Sequence, residues 1–178
     1  MSANRLAALA HYVIWRCNPA ELGTVKLNKI LWFADLEYYR RTGHTITGTT
    51  AYTKLPHGPV AKGILEALDG LEAEDKIARA TENYYGRPKT MFLARRRPDL
   101  SPFAADEIAI VDMMADVICQ KQTQASIAEI SHDALWSEVE IGRDIPIGAA
   151  AVIRGDATVE DIQCAEKVFQ GAENAFAK

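Results

Sequence analysis

Val25-Lys26-Leu27-Asn28-Lys29-Ile30-Leu31-Trp32-Phe33-Ala34-Asp35-Leu36-Glu37-Tyr38-Tyr39-Arg40-Arg41-Thr42-Gly43 is the stretch around which the chain organises itself. At about 100° per residue, Leu27, Ile30, Leu31, Ala34 and Tyr38 fall on one helical face, and Trp32, Phe33, Leu36 and Tyr39 on the opposite one. A helix that is apolar on two sides belongs inside a domain. Asn28 and Asp35 stand a heptad apart on the narrow polar strip between the two faces. The expected role for both is structural, since buried polar groups usually bond neighbouring groups. Two arginines in the last turn followed by Gly43 form a stop signal, and Thr24 is placed as the N-cap.

The 178 residues are 48% hydrophobic and 25% charged, enough to bury a core as one domain with a terminal extension. A net charge of −4 argues against coating nucleic acid by charge alone, though not against a local basic patch. No apolar run nears the ~20 residues needed to span a bilayer, and the N-terminus lacks a signal pattern, so the expected compartment is the cytoplasm with no membrane partner. Cys17, Cys119 and Cys164 are odd in number and lack metal-ligand spacing. They read as reduced, mostly buried thiols rather than a disulfide framework or a zinc site.

Upstream, Leu6, Leu9, Val13 and Cys17 define one face of a first amphipathic helix ended by Pro19. Downstream, the β-branched run from His44 to Leu55 predicts an extended segment. It enters Pro56-His57-Gly58-Pro59-Val60, a rigid corner in which Pro59 suits the first turn of a helix running to about Glu74. Ile77 to Thr81 and Thr90 to Arg95 flank a turn-rich segment and predict a β-hairpin. Ser101-Pro102 reads as the start of a fourth helix with an apolar stripe of Ile108, Val111, Met114 and Ile118. A short helix from Ser126, another through Trp136, an extended exit at residues 144–147 and a final helix from Thr158 to Ala177 complete the reading. The fold class is α+β and predominantly α-helical: a compact helical domain around a central buried helix, with a small antiparallel β-hairpin.

Catalytic signatures are missing from the sequence: there is no Gly-rich phosphate loop, no Gly-x-Ser-x-Gly elbow and no His-Glu-x-x-His. The four histidines, His11, His44, His57 and His132, are scattered and adjoin no cysteine. No catalytic, cofactor-binding or metal-binding residue is therefore assigned, and no cofactor is expected. A hydrolase using His57 or His132 with Asp35 rests on residue types alone. The aromatic residues read as packing groups except at the hairpin tip, where Tyr84 and Tyr85, with Arg87 and Lys89, resemble a contact surface.

Lys26-Leu27-Asn28-Lys29-Ile30-Leu31-Trp32-Phe33-Ala34-Asp35, then Thr42-Gly43-His44-Thr45-Ile46, then His57-Gly58-Pro59-Val60 follow one another in order. They resemble the Lys-Leu-x-Lys-Leu-Leu-Tyr-Phe-Ala, Thr-Gly-x-x-Ile and Tyr/His-Gly-Pro-Val signature of the Panacea, or SocA-like, antitoxin domain. His132-Asp133 through Trp136 with Ile145-Pro146 is similar to the family's closing segment. The likeness covers roughly residues 5 to 150, giving a domain at 1–150 and a C-terminal helical extension at 151–178. What the resemblance implies is a bacterial or phage-encoded antitoxin without catalysis, binding a cognate protein toxin encoded beside it. Within that signature Asn28, Asp35, His57, Gly58, Pro59 and Trp136 read as scaffold.

The alternative is a winged-helix-like DNA-binding regulator, using the helix at 60–74 in the major groove and the basic hairpin at 77–97 on phosphates. Lys62, Glu66, Asp69, Glu72, Glu74 and Asp75 on that helix argue against it, being mostly acidic.

Overall fold

A computed structural model describes residues 2–84, 87–120 and 139–153. Among these, five helices and five strands follow in the order α1 (Ser2–Arg16), α2 (Thr24–Thr42), β1 (Ala51–Leu55), β2 (Gly58–Ala61), α3 (Ile64–Ala73), β3 (Ile77–Tyr84), β4 (Arg87–Ala94), α4 (Ala105–Gln120), β5 (Asp144–Pro146) and α5 (Ile147–Ile153). The fold is α+β and predominantly helical. The strands make an antiparallel three-stranded sheet ordered β2-β1-β5 and a separate β3-β4 hairpin. The expected helices at Ser126, Trp136 and Thr158–Ala177, and Cys164, lie outside the described residues.

α2 is the axis of the core, packed against α4, β2, α5 and α1. Leu27, Ile30, Leu31 and Ala34 are wholly buried on one side, and Trp32 and Leu36 are buried on the other, with Phe33 and Tyr39 half-buried. Trp32 meets Tyr52 of β1 edge-on, ring centroids 4.8 Å apart, so the second apolar face is claimed by the sheet. Gly43 ends α2 in the left-handed conformation, its N–H donating to Tyr39 O. Thr24 is not the N-cap: Gly23 holds that position without a side-chain bond, and Thr24 is the first helical residue.

Pro59 does not open a helix. Gly58–Ala61 is a strand whose register runs Tyr52↔Ala61 to Leu55↔Gly58, and α3 begins only at Ile64, after Gly63 in the left-handed region. Proline is tolerated here because β2 is an edge strand, and Pro146 occupies the other edge, on β5. The two-residue turn Pro56-His57 then joins β1 to β2. Ser101-Pro102 likewise does not start α4. That helix begins at Ala105, where the Glu107 carboxylate folds back to accept the Ala104 N–H at 2.8 Å, capping the first turn from the inside. Its buried side carries Ile110, Val111, Ala115, Ile118 and Cys119, while Ile108 and Met114 are half-buried. The β3-β4 hairpin matches expectation and is longer at its tip, pairing Ile77↔Ala94 through Tyr84↔Arg87.

α3 closes on a Schellman-type turn, Lys76 N–H donating to Leu71 O. Asp75, at φ 53, takes the left-handed position usually given to glycine, and its carboxylate accepts Arg95 at 2.9 Å.

Candidate functional site

Along α2, Asn28, Trp32 and Asp35 share one stripe, and all three are buried. Asp35 is wholly enclosed. Its carboxylate accepts the Thr47 backbone N–H at 3.0 Å, the Thr47 hydroxyl at 2.5 Å and the Tyr52 hydroxyl at 2.7 Å. Burial outweighs these donors and pushes its carboxyl up to about 6. Burial and the facing carboxylate hold the Tyr52 phenol well above its ordinary range, so it remains a donor. The cluster clamps the chain after α2 against its own helix and against β1. It has no open face for a substrate, so a hydrolase built on Asp35 with His57 is not what the geometry offers: His57 is exposed at the β1-β2 turn.

Asn28 donates to Thr24 O one turn back at 2.9 Å. Asn28 Oδ1 and Trp32 Nε1 are buried without a hydrogen-bond partner among the described residues, each carrying a desolvation cost of about 1–3 kcal/mol. Lys29, also buried, lies under the turn between β1 and β2. A Cβ on Gly58 would come within 2.6 Å of Lys29 Cε, so Gly58, at φ 134, is required by both backbone and packing. Lys26 reaches across to the end of α4, donating to Cys119 O at 3.2 Å.

The remaining described histidines stand apart. His11 is buried, its Nε2 3.0 Å from Arg96 O, and its pKa is lowered chiefly by burial. His44 is exposed and bonds Thr42 O. Among the described residues no group of His, Cys, Asp or Glu is placed to hold a metal ion, and no helix is long and apolar enough to cross a membrane. His132, Asp133 and Trp136 lie outside the described residues.

At the hairpin, Tyr84 and Arg87 face each other as the last pair of the ladder; their side chains, and Tyr85 altogether, are outside what the structure describes. Lys89 reaches back to the Ala20 carbonyl at 2.5 Å, bracing the hairpin on the connection between α1 and α2. The base of the hairpin is less basic than its sequence suggests. Arg79 is bound by Asp69 and Glu72 of α3, and Arg95 and Arg96 both turn to Asp75. Acidic residues that α3 would need to hide from DNA thus meet arginines that would otherwise reach for it.

One organising side chain carries no motif. Arg5 donates to Ile46 O at 2.9 Å, Pro102 O at 2.5 Å and Glu107 at 2.6 Å, and its guanidinium lies 4.8 Å from the Phe103 ring centre. It ties α1 to the segment after α2 and to the start of α4. Nothing local marks it, since its partners are 41 to 102 residues away.

No curated protein and no solved structure matches the chain. The sequence model of the family described as Antitoxin SocA-like, Panacea domain matches residues 27–137, more than half of the 178 residues. That span opens inside α2 and takes in the buried Asp35 clamp, the Gly58 turn, the hairpin and all of α4. With Leu27, Asn28, Lys29 and Asp35 of the signature in the interior of the domain and the family match spanning more than half of the chain, the chain belongs to the SocA-like antitoxin family that carries the Panacea domain.

Proposed function

We propose that the protein is the antitoxin of a toxin-antitoxin pair, bacterial or phage-encoded and cytoplasmic, and that it neutralises a cognate protein toxin by direct binding without catalysis. The observation that carries this reading is family membership over residues 27–137. The interior position of Asn28 and Asp35 supports it further: residues without solvent access build shape rather than contact a partner, which leaves toxin recognition to a surface outside the motif. The surface proposed is the hairpin end, Tyr84, Tyr85, Arg87 and Lys89, carried by residues 1–150 with residues 151–178 as an extension. Aromatic and arginine side chains on a two-stranded arm are suited to anchoring an interface of about 1,600 Å² in total.

The DNA-binding alternative loses support on two counts. The segment assigned to the start of a recognition helix is a strand, and the arginines near the hairpin base are paired to α3 and Asp75.

Co-expression with the product of the neighbouring reading frame tests the proposal. The wild-type chain should form a complex with it and restore growth, and replacing Tyr84 and Tyr85 together by alanine should weaken both while leaving the melting temperature unchanged. Failure of the wild-type chain to bind or rescue removes the antitoxin assignment. Full rescue by the double variant removes only the hairpin tip from the interface.

A further inference from the structure

α1 and α4 lie side by side with their ends in step. Arg5 is paired with Glu107, Tyr12 donates to Asp112, and Arg16 bonds Asp116, so the two helices run parallel. At the end of this ladder Cys17, just past α1, and Cys119, in the last turn of α4, bring their sulfurs to 3.4 Å, both buried. They are separated by 102 residues of chain. We propose that Cys17 and Cys119 are a redox pair, oxidised by peroxide to a disulfide that locks the C-terminal end of α1 to that of α4.

The sulfurs need to approach from 3.4 Å to about 2.05 Å, a movement within reach of side-chain rotation, because the flanking ion pairs already hold the helices in register. The contact with the Cys17 sulfur and the Lys26 ammonium, working against burial, lower the Cys119 thiol. One of the two sulfurs, as its thiolate, displaces hydroxide from hydrogen peroxide and becomes a sulfenic acid. The other sulfur then attacks it, the S–S bond forms and water leaves. Together two thiols and one peroxide give one disulfide and two waters, the thiols losing two electrons that reduce the peroxide. In the reduced form the ends of these helices are held beside each other by packing and by partly exposed ion pairs that salt screens. In the oxidised form it is covalent.

The test uses the full chain, reduced, then treated with hydrogen peroxide, with remaining thiols alkylated and peptides mapped by mass spectrometry. The expected product is a single chain in which the peptides bearing Cys17 and Cys119 are joined and Cys164 is alkylated. Closing a loop of this length should raise the melting temperature by roughly 10 °C, a shift that dithiothreitol reverses, Cys164→Ser keeps and Cys119→Ser abolishes. Recovery of Cys17 and Cys119 both alkylated, or of either joined to Cys164, overturns the pairing. Should Cys119→Ser fail to fold, the peptide map of the wild-type chain and the shift in Cys164→Ser still decide the outcome.

Discussion

Replacing Asp35 by asparagine probes the clamp at the centre of the molecule, because the replacement keeps the shape and removes the proton equilibrium. The carboxyl titrates near 6 in the folded chain against about 3.9 when unfolded. A raised carboxyl works against folding once it ionises. Well below pH 4 the group is protonated in both states and contributes nothing. Between about pH 4 and 6 the folded chain holds a proton that the unfolded chain has released, so stability falls as pH rises through this window. Above about pH 6 the whole cost is present, about two units at 1.36 kcal/mol each, or about 3 kcal/mol. The asparagine variant carries none of it. Whatever constant penalty Asp35→Asn suffers from presenting an amide to three donors, the stability of wild type minus variant should therefore drop by about 2–2.5 kcal/mol between about pH 4 and 7.5. Urea unfolding of both proteins across that range reads this difference directly, and a thermal scan should show the gap moving by roughly 5–10 °C. Glu72, Glu74 and Asp99 have lowered pKa values from hydrogen bonds with Arg79, Lys76 and Ser101 respectively and act in the opposite sense, losing stability towards acid. They are common to both proteins and cancel. A difference that stays flat with pH would mean that Asp35 ionises as readily inside the fold as outside it, and the account of its burial would be wrong.

Gly58→Ala should destabilise the fold by about 2–3 kcal/mol, combining left-handed backbone strain with the collision against Lys29; an unchanged urea midpoint would show that β2 and Lys29 yield freely. Arg5→Ala should cost about 2–3 kcal/mol by leaving Glu107 buried without its cation and two carbonyls without donors, and Arg5→Lys should recover little, because one ammonium cannot span acceptors that three guanidinium nitrogens reach. Equal stability of the lysine variant and wild type, by denaturant unfolding, would contradict that reading.

Membership of an antitoxin family and the interior position of Asn28 and Asp35 have a joint consequence for mutagenesis. Substitutions at Asn28, Asp35 or Gly58 act on activity through stability, so loss of rescue by such variants says nothing about where a toxin sits. Only variants that keep the melting temperature, as expected for the hairpin tip, report on the interface.

The chain's own periodicity is enough to establish α1, α2 and the β3-β4 hairpin. The two-sided apolar pattern between Leu27 and Tyr39, the glycine stop at Gly43 and the turn-rich residues before Thr90 are local signals, and local backbone preference and burial agree at each of them. The same holds for the signature that marks the family, since its residues are near neighbours in sequence. Tertiary contact decides the rest. Gly58-Pro59 reads as a helix entrance in the sequence and is an edge strand in the fold, because β1 is available to pair with it. The start of α4 moves from Ser101 to Ala105, where Glu107 both caps the helix and meets an arginine 102 residues earlier. Asp35 finds its partners at Thr47 and Tyr52, and Cys17 meets Cys119 across the length of the domain. Spacing along a chain records which face of an element is apolar, but it cannot record which distant element will cover that face, because that choice is made by packing among segments far apart in sequence.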